Sequence, residues 1–336
     1  MDGEKVSRRR VLGALGGLGT LASGVAVDNV LLGYEQLGTN LRKQDLAAKF
    51  AETATDGLRV TDRSGVRVLL WDDNLRLLDG PDGSVLADHD YPDPDATERR
   101  ELDDQHGLDG LLTEGLSAVT ALHRGDVTFA FSDPERFFER VRTGDPNRSA
   151  IELLRGHRPA PTDAVWSVTD ADPADPEAVA KGLVDGFREH AHYDLPRYMA
   201  GAVQFNVAFN TVDLRAGFRD DTDFASLRDG GVGMFCTDFA VRAGEALHAT
   251  PAGEQSPPVM AGVVIDDRHR HVFTVVASVL AGEDGLVVPA TFLDYTHSTL
   301  YDDLRLTGLL GEGWAAYNRR HRADTVWWAQ IGTPSS

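Results

Sequence analysis

An α+β protein is predicted by three features of the chain. Apolar runs of strand length stand at 272–276 and 287–293, a helical period occupies 237–247, and short alternating runs recur between 58 and 78. In chain order, 29–50 is expected to form a short amphipathic helix. The runs 58–60, 66–71 and 75–78, separated by Asp and Gly turns, predict a small β-meander. The apolar spacing of 108–123 predicts a helix, Val127 to Phe131 a strand, and Pro134 opens a further helix to 142. The run Pro159, Ala160, Pro161, Thr162 marks a boundary between an N-terminal α/β segment (28–161) of unassigned role and a C-terminal domain (162–336). A helix is expected near 309–322 and a last strand at 325–331. A mature chain of about 310 residues is long enough for roughly two such units.

Residues 1–27 read as an export signal. Ser7, Arg8, Arg9, Arg10, Val11 and Leu12 resemble the twin-arginine motif, and an uncharged stretch follows to Val27 before Asp28. Gly13, Gly16, Gly17, Gly19 and Gly24 make that stretch weakly hydrophobic and short for a stable span, so cleavage after Ala26 is expected, an uncleaved anchor being the alternative. An exported or cell-surface protein that meets the twin-arginine translocation machinery follows from this reading. Cys236 is the only cysteine, which rules out an internal disulfide and a lipid-bearing cysteine near the leader.

The formal net charge is −20, and removing the leader takes away four basic and two acidic residues, giving −22. Only Lys5, Lys43, Lys49 and Lys181 are lysines among 33 basic residues. Such acidity with Arg in place of Lys resembles proteins of extreme halophiles. Self-repulsion is screened there, because the Debye length falls to about 3 Å at 1 M salt. A surface of this sign excludes nucleic acid as a partner.

The chemistry points to Cys236. It follows Gly230, Gly231, Val232 and Gly233 and heads the helix expected at 237–247. His271 opens one of the apolar runs and Asp294 closes the other. A thiol, a base and an orienting acid in that order are the parts of a nucleophilic mechanism. The helix dipole alone is too weak to ionise a thiol with a pKa of about 8.5, since it offers only ~0.3–1 kcal/mol. A histidinium partner is required, and His271 is the candidate. Asp294 would accept the second ring N–H and hold the tautomer. Amides at the helix start would stabilise an oxyanion, and the glycines would let backbone approach the substrate.

The blocks around these residues resemble the transglutaminase-like superfamily of papain-like cysteine hydrolases. A helical segment ending His192, Tyr193, Asp194, Leu195, Pro196 is similar to its pre-catalytic helix. Leu227 to Ala240 is similar to its glycine, cysteine, aromatic, alanine signature, His271 to Phe273 to its histidine strand, and Phe292 to Thr296 to its aspartate strand. The resemblance covers roughly 162–299. It implies a nucleophile helix packed on an antiparallel sheet, with catalytic Cys236, His271 and Asp294, no cofactor, and a peptide or protein substrate. Departures stand beside it: two residues separate Gly233 from Cys236 where one is common, Phe273 replaces a frequent Trp, and the loop 250–258 is long.

Other readings stay open from the residues alone. Cys236, flanked by Phe235 and Phe239, could be an inert buried side chain, His271 a core histidine, and Asp294 a turn residue. The function would then be a cell-surface interaction module that keeps the fold. Acyl transfer to an amine is the same chemistry with another acceptor. His190 with His192 and His269 with His271 would suit a zinc site, against which 190–192 reads as the end of an exposed helix and 266–270 as a hairpin turn. The acidic clusters 90–95 and 170–175 lack the calcium-loop pattern and read as solvated loops.

Overall fold

The computed structural model describes residues 59–71, 74–81, 83–90, 95–124, 127–155, 159–194, 196–197, 200, 204, 223–266, 271–283, 285–296 and 325–327. The leader, the helices expected at 29–50 and 309–322, and 328–331 lie outside them. Among the described residues no helix is long and apolar enough to cross a membrane.

The chain opens with the antiparallel meander β1 (Arg59–Arg63), β2 (Val66–Trp71), β3 (Asn74–Asp79) and β4 (Val85–Asp90). Alternation in β2 buries Val66, Val68 and Leu70 and leaves Arg67 to pair with Asp62 at 2.7 Å. Helix α1 (Ala96–His106) is capped by Asp95, whose carboxylate accepts from the amides of Thr97 and Glu98. A π-helical run Leu111–Leu116 leads into α2 (Ser117–His123). Its first amides are satisfied from a distance: buried Asp103 accepts from Leu112 N at 2.9 Å and Thr113 N at 2.8 Å. Then come β5 (Val127–Phe131), α3 (Pro134–Thr143) and α4 (Arg148–Leu154).

The second half contributes α5 (Thr162–Thr169), α6 (Pro176–His190), β6 (Ala191–Tyr193), a 3-10 turn Ala225–Asp229, β7 (Val232–Met234) and α7 (Cys236–Leu247). It continues with β8 (Met260–Asp266), β9 (His271–Ala277), β10 (Leu280–Gly282), β11 (Gly285–Leu293) and β12 (Thr325–Trp327). Asp175 and Pro176 start α6 in the expected way, the Asp175 carboxylate accepting from Glu177 and Ala178 amides. Its buried stripe is Val179, Ala180, Leu183 and Phe187. Gly182 and Gly186 let α5 approach, since a Cβ at either would stand 2.3 and 2.4 Å from the carbonyls of Thr169 and Val168.

The protein is thus mixed α and β with antiparallel sheets, compatible with the α+β class. The main sheet runs β10-β11-β9-β8-β12, and β5 joins it by pairing parallel to β11. One face carries α5, α6 and α7 through Val165, Leu183, Phe187, Phe239, Ala243, Val276 and Leu293. The other carries the meander, α2 and α4 through Val68, Leu77, Val119, Ile151, Phe273, Val275 and Phe292. The division at 161 therefore crosses a shared core, because both a strand and an apolar layer of the main sheet come from the N-terminal segment. Burial on both faces explains why β9 and β11 read as continuous apolar runs rather than alternating ones.

Helix α4 is fastened to the far end of α7 by buried polar groups. Arg155, just past α4, donates to the carbonyls of Leu247 at 3.2 Å, Thr250 at 2.8 Å and Val259 at 3.1 Å. Burial pulls its guanidinium down to about 10, with neighbouring Glu152 opposing the shift. Glu152 in turn accepts from Ala252 N at 2.6 Å, and Arg148 donates to the carbonyls of Ala252, Gly253 and Gln255. The long loop after the helix is therefore held in place.

Buried His248 adds a titration to this clamp. Its Nε2 accepts from Ala261 N at 2.8 Å, so the ring is neutral with its proton on Nδ1. Burial, and then the charge of Arg155, hold its pKa well below the usual value of 6.5. The unfolded chain binds this proton more readily than the folded one. The stability that His248 contributes is therefore present above about pH 6.5 and lost as pH falls below it. His248→Gln, which offers an acceptor that does not titrate, is expected to flatten the fall in unfolding free energy between about pH 6.5 and 5. Equal slopes in denaturant titrations of the two proteins would contradict this.

Candidate active site

Cys236 is the first residue of α7 and is buried, with 2% of its surface exposed. The turn before it needs glycine: Gly230 and Gly231 have φ of 71° and 68°, in the left-handed region. They deliver the chain into β7, which pairs parallel with β6 and sets His192 beside Gly233 and Tyr193 beside Met234. His192 is therefore a strand residue rather than the helix end expected from the sequence, and His190 alone closes α6. His269 lies outside the described residues. Among the described residues no group of three His, Cys, Asp or Glu side chains is arranged to hold a metal ion.

The direction of α7 on the sheet fixes which strand ends lie near Cys236. Thr274 Oγ1 is 3.5 Å from the Ala240 carbonyl, at the outer limit of a hydrogen bond, and His248 past the far end meets Ala261, which pairs with Val276. Helix and strand therefore run the same way, and the start of α7 lies toward the first residues of β9. In the β9–β11 ladder Thr274 pairs with Leu293, so Asp294 follows at the level of Phe273. His271 pairs with Asp266 at the first position of the strand. The start of α7, the start of β9 and the exit of β11 thus share one end of the layer.

Asp294 is buried, with 1% exposed. Tyr295 locks its backbone: the phenol donates to the Ala180 carbonyl at 3.1 Å and the ring meets Phe187 edge-on at 5.3 Å. Burial pushes the phenol's pKa far up, so it stays a neutral donor. The side chain of His271 lies outside the described residues. Along the rest of β9, Thr274 and Val276 face α7, whereas Phe273, Val275 and Ala277 enter the opposite core. A Cys236–His271 contact therefore requires the first residues of β9 to depart from this alternation.

Two residues not singled out from the sequence complete the helix start. Asp238, at the third position of α7, accepts from Phe235 N at 2.8 Å, and Arg197 Nη1 donates to the same oxygen at 2.5 Å. Arg197 also lies over the Phe235 ring at 5.5 Å, and Phe235 stacks on Tyr193 at 5.8 Å. The backbone amide of Arg197 donates to Asp194 Oδ1 at 2.9 Å. An acid three residues after a helix cap is a readable capping signal, so Asp238 was accessible from local sequence. Arg197 was not, because it is 41 residues away.

Comparison with family models, with curated proteins and with solved structures gave no match.

Proposed function

We propose that the chain is an exported thiol hydrolase with a transglutaminase-like core, cleaving an amide or peptide bond through Cys236, His271 and Asp294. The observation that carries this reading is the common end shared by the start of α7, the start of β9 and the exit of β11. His271 takes the thiol proton and the sulfur attacks the carbonyl carbon. The tetrahedral oxyanion is met by amides of the first turn that have no partner within the helix. Asp238 occupies the amide of Phe235, and the amides of Cys236 and Thr237 are the ones assigned to this role. The C–N bond breaks as His271 returns the proton to the amine, leaving a thioester. Water, deprotonated by His271, then releases the acid and restores the thiol.

Water is favoured over an amine as acceptor because this chain holds four lysines. A lysine-poor set of neighbours, which the halophile reading implies, offers few acceptors. The mature protein, assayed in molar salt with a peptide amide and a labelled primary amine, is expected to give free acid as the main product by mass spectrometry. Mainly amine-modified product would replace hydrolysis with acyl transfer. Two observations favour a non-catalytic interaction module instead: the burial of Cys236, since a nucleophile must be reached, and the alternation of β9, which if continued would turn position 271 away from α7. Absence of both products from folded protein would support that second reading.

A further inference from the structure

We infer that Arg197 and Asp238 form an opposed-charge pair that sets how readily Cys236 ionises, with Arg197 acting as a positioning residue through Asp238. This rests on the reading of Cys236 as a nucleophile. Asp238 sits in the first turn of α7, two residues beyond Cys236, and its carboxylate binds the amide immediately before the cysteine. A carboxylate there caps the helix but also opposes a second negative charge forming on sulfur. Arg197 offsets that opposition at 2.5 Å, and the pair is mostly shielded from solvent, the side chains being 15% and 25% exposed. The guanidinium is held by two contacts, Asp238 and the Phe235 ring, and the residue's backbone is fixed separately by its amide donating to Asp194. The carboxylate is thus kept for the helix while its charge is covered.

Among the described residues the other ionisable groups around this helix start include His192 and Asp194 beside Gly233, Tyr193 against the Phe235 ring, Arg242 further along α7, Asp294 beyond β11 and His271 at the head of β9. Helix α6 meets α7 through Phe187 on Phe239, and β8 through Ala261 and Val263, all apolar. None of these is altered when either member of the pair is changed. The two substitutions therefore have opposite signs. R197Q uncovers the Asp238 charge and makes the thiolate harder to form. D238N keeps an acceptor for Phe235 N, removes the negative charge and makes the thiolate easier to form.

The test is the pH midpoint of iodoacetamide labelling of Cys236 in the full mature protein. R197Q is expected to raise it and D238N to lower it, each by about half a pH unit, with the double variant returning to the wild-type value. R197K, which keeps the charge, is expected to rescue the R197Q shift. A purely structural role would lower thermal stability in both variants without midpoints of opposite sign. A reactive thiol whose midpoint moves the same way in both variants, or stays fixed, overturns the pair's role and leaves the hydrolase reading standing. A folded wild type that resists labelling at every pH overturns that reading and the pair's role together. Should R197Q fail to fold, D238N decides alone: a midpoint at or above the wild-type value contradicts the inference.

Discussion

Arg155→Ala is expected to lower the unfolding free energy by about 3–5 kcal/mol, a large part of the ~5–15 kcal/mol that holds a typical domain together. The loss has a definite source. The buried carbonyls of Thr250 and Val259 lose the Arg155 donor, that of Leu247 loses one of two and keeps Gln255 Nε2, and Glu152 loses the cation beside it. An orphaned buried acceptor costs about 1–3 kcal/mol, so the sum is large even if water enters to satisfy part of it. Leu247 ends the helix that begins with Cys236, so the lesion also frees the far end of that helix from α4. Arg155→Lys keeps a charge but not the fork of donors and is expected to recover less than half of the loss. Denaturant titration in molar salt measures both. A loss below ~1 kcal/mol, the value of an exposed ion pair, would mean that this clamp does not hold the two halves together.

Cys236→Ala is expected to reduce release of free acid at least about 10³-fold, to the level that binding and oxyanion donors alone provide. The substitution removes one buried sulfur atom from a helix start whose cap is made by Asp238, so the fold is expected to survive with a loss of ~1 kcal/mol. Cys236→Ser keeps the shape and replaces the thiol by a group that does not ionise near neutral pH, and its activity should be equally low. Residual hydrolysis within tenfold of the wild type in either folded variant would remove Cys236 from the chemistry. Kinetics and circular dichroism on the same samples separate a chemical defect from an unfolded one.

What could be read in the sequence was local, and what could not was mostly long-range. The helix at 237–247 showed through its apolar spacing, and the structure extends it by one residue to Cys236. The strands at 127–131, 272–276 and 287–293 showed as β-branched and aromatic runs, and all three lie in the main sheet. The fourth meander strand, Val85–Asp90, was hidden because Asp88, His89 and Asp90 make it too polar for a strand signal. Helix α1 was hidden in the same way: of ATERRELDDQH only Leu102 and Asp103 are buried. The parallel pairing of β5 with β11 bridges more than 150 positions of sequence, and no periodicity reports such a contact. It joins the N-terminal segment to the sheet that a cut at 161 would have treated as separate. At the candidate site the nucleophile's helix, the start of β9 and the exit of β11 were legible, whereas the contacts of Arg197 and Tyr295 there, and of Arg155 at the far end of α7, span 41, 115 and 92 positions and were not.

The central claim is that Cys236 is ionised by His271 in the folded protein, and the direct measurement is iodoacetamide labelling of Cys236 against pH in the wild type and in His271→Ala. An ion pair predicts labelling well below pH 8 in the wild type. It also predicts a shift in His271→Ala toward the pH of an ordinary thiol, about 8.5. Asp294→Asn should shift the curve less, because it disturbs the orientation of the ring and not the base itself. A folded wild type whose thiol does not react, or whose labelling curve is the same with and without His271, would contradict the account and leave Cys236 as a buried core residue.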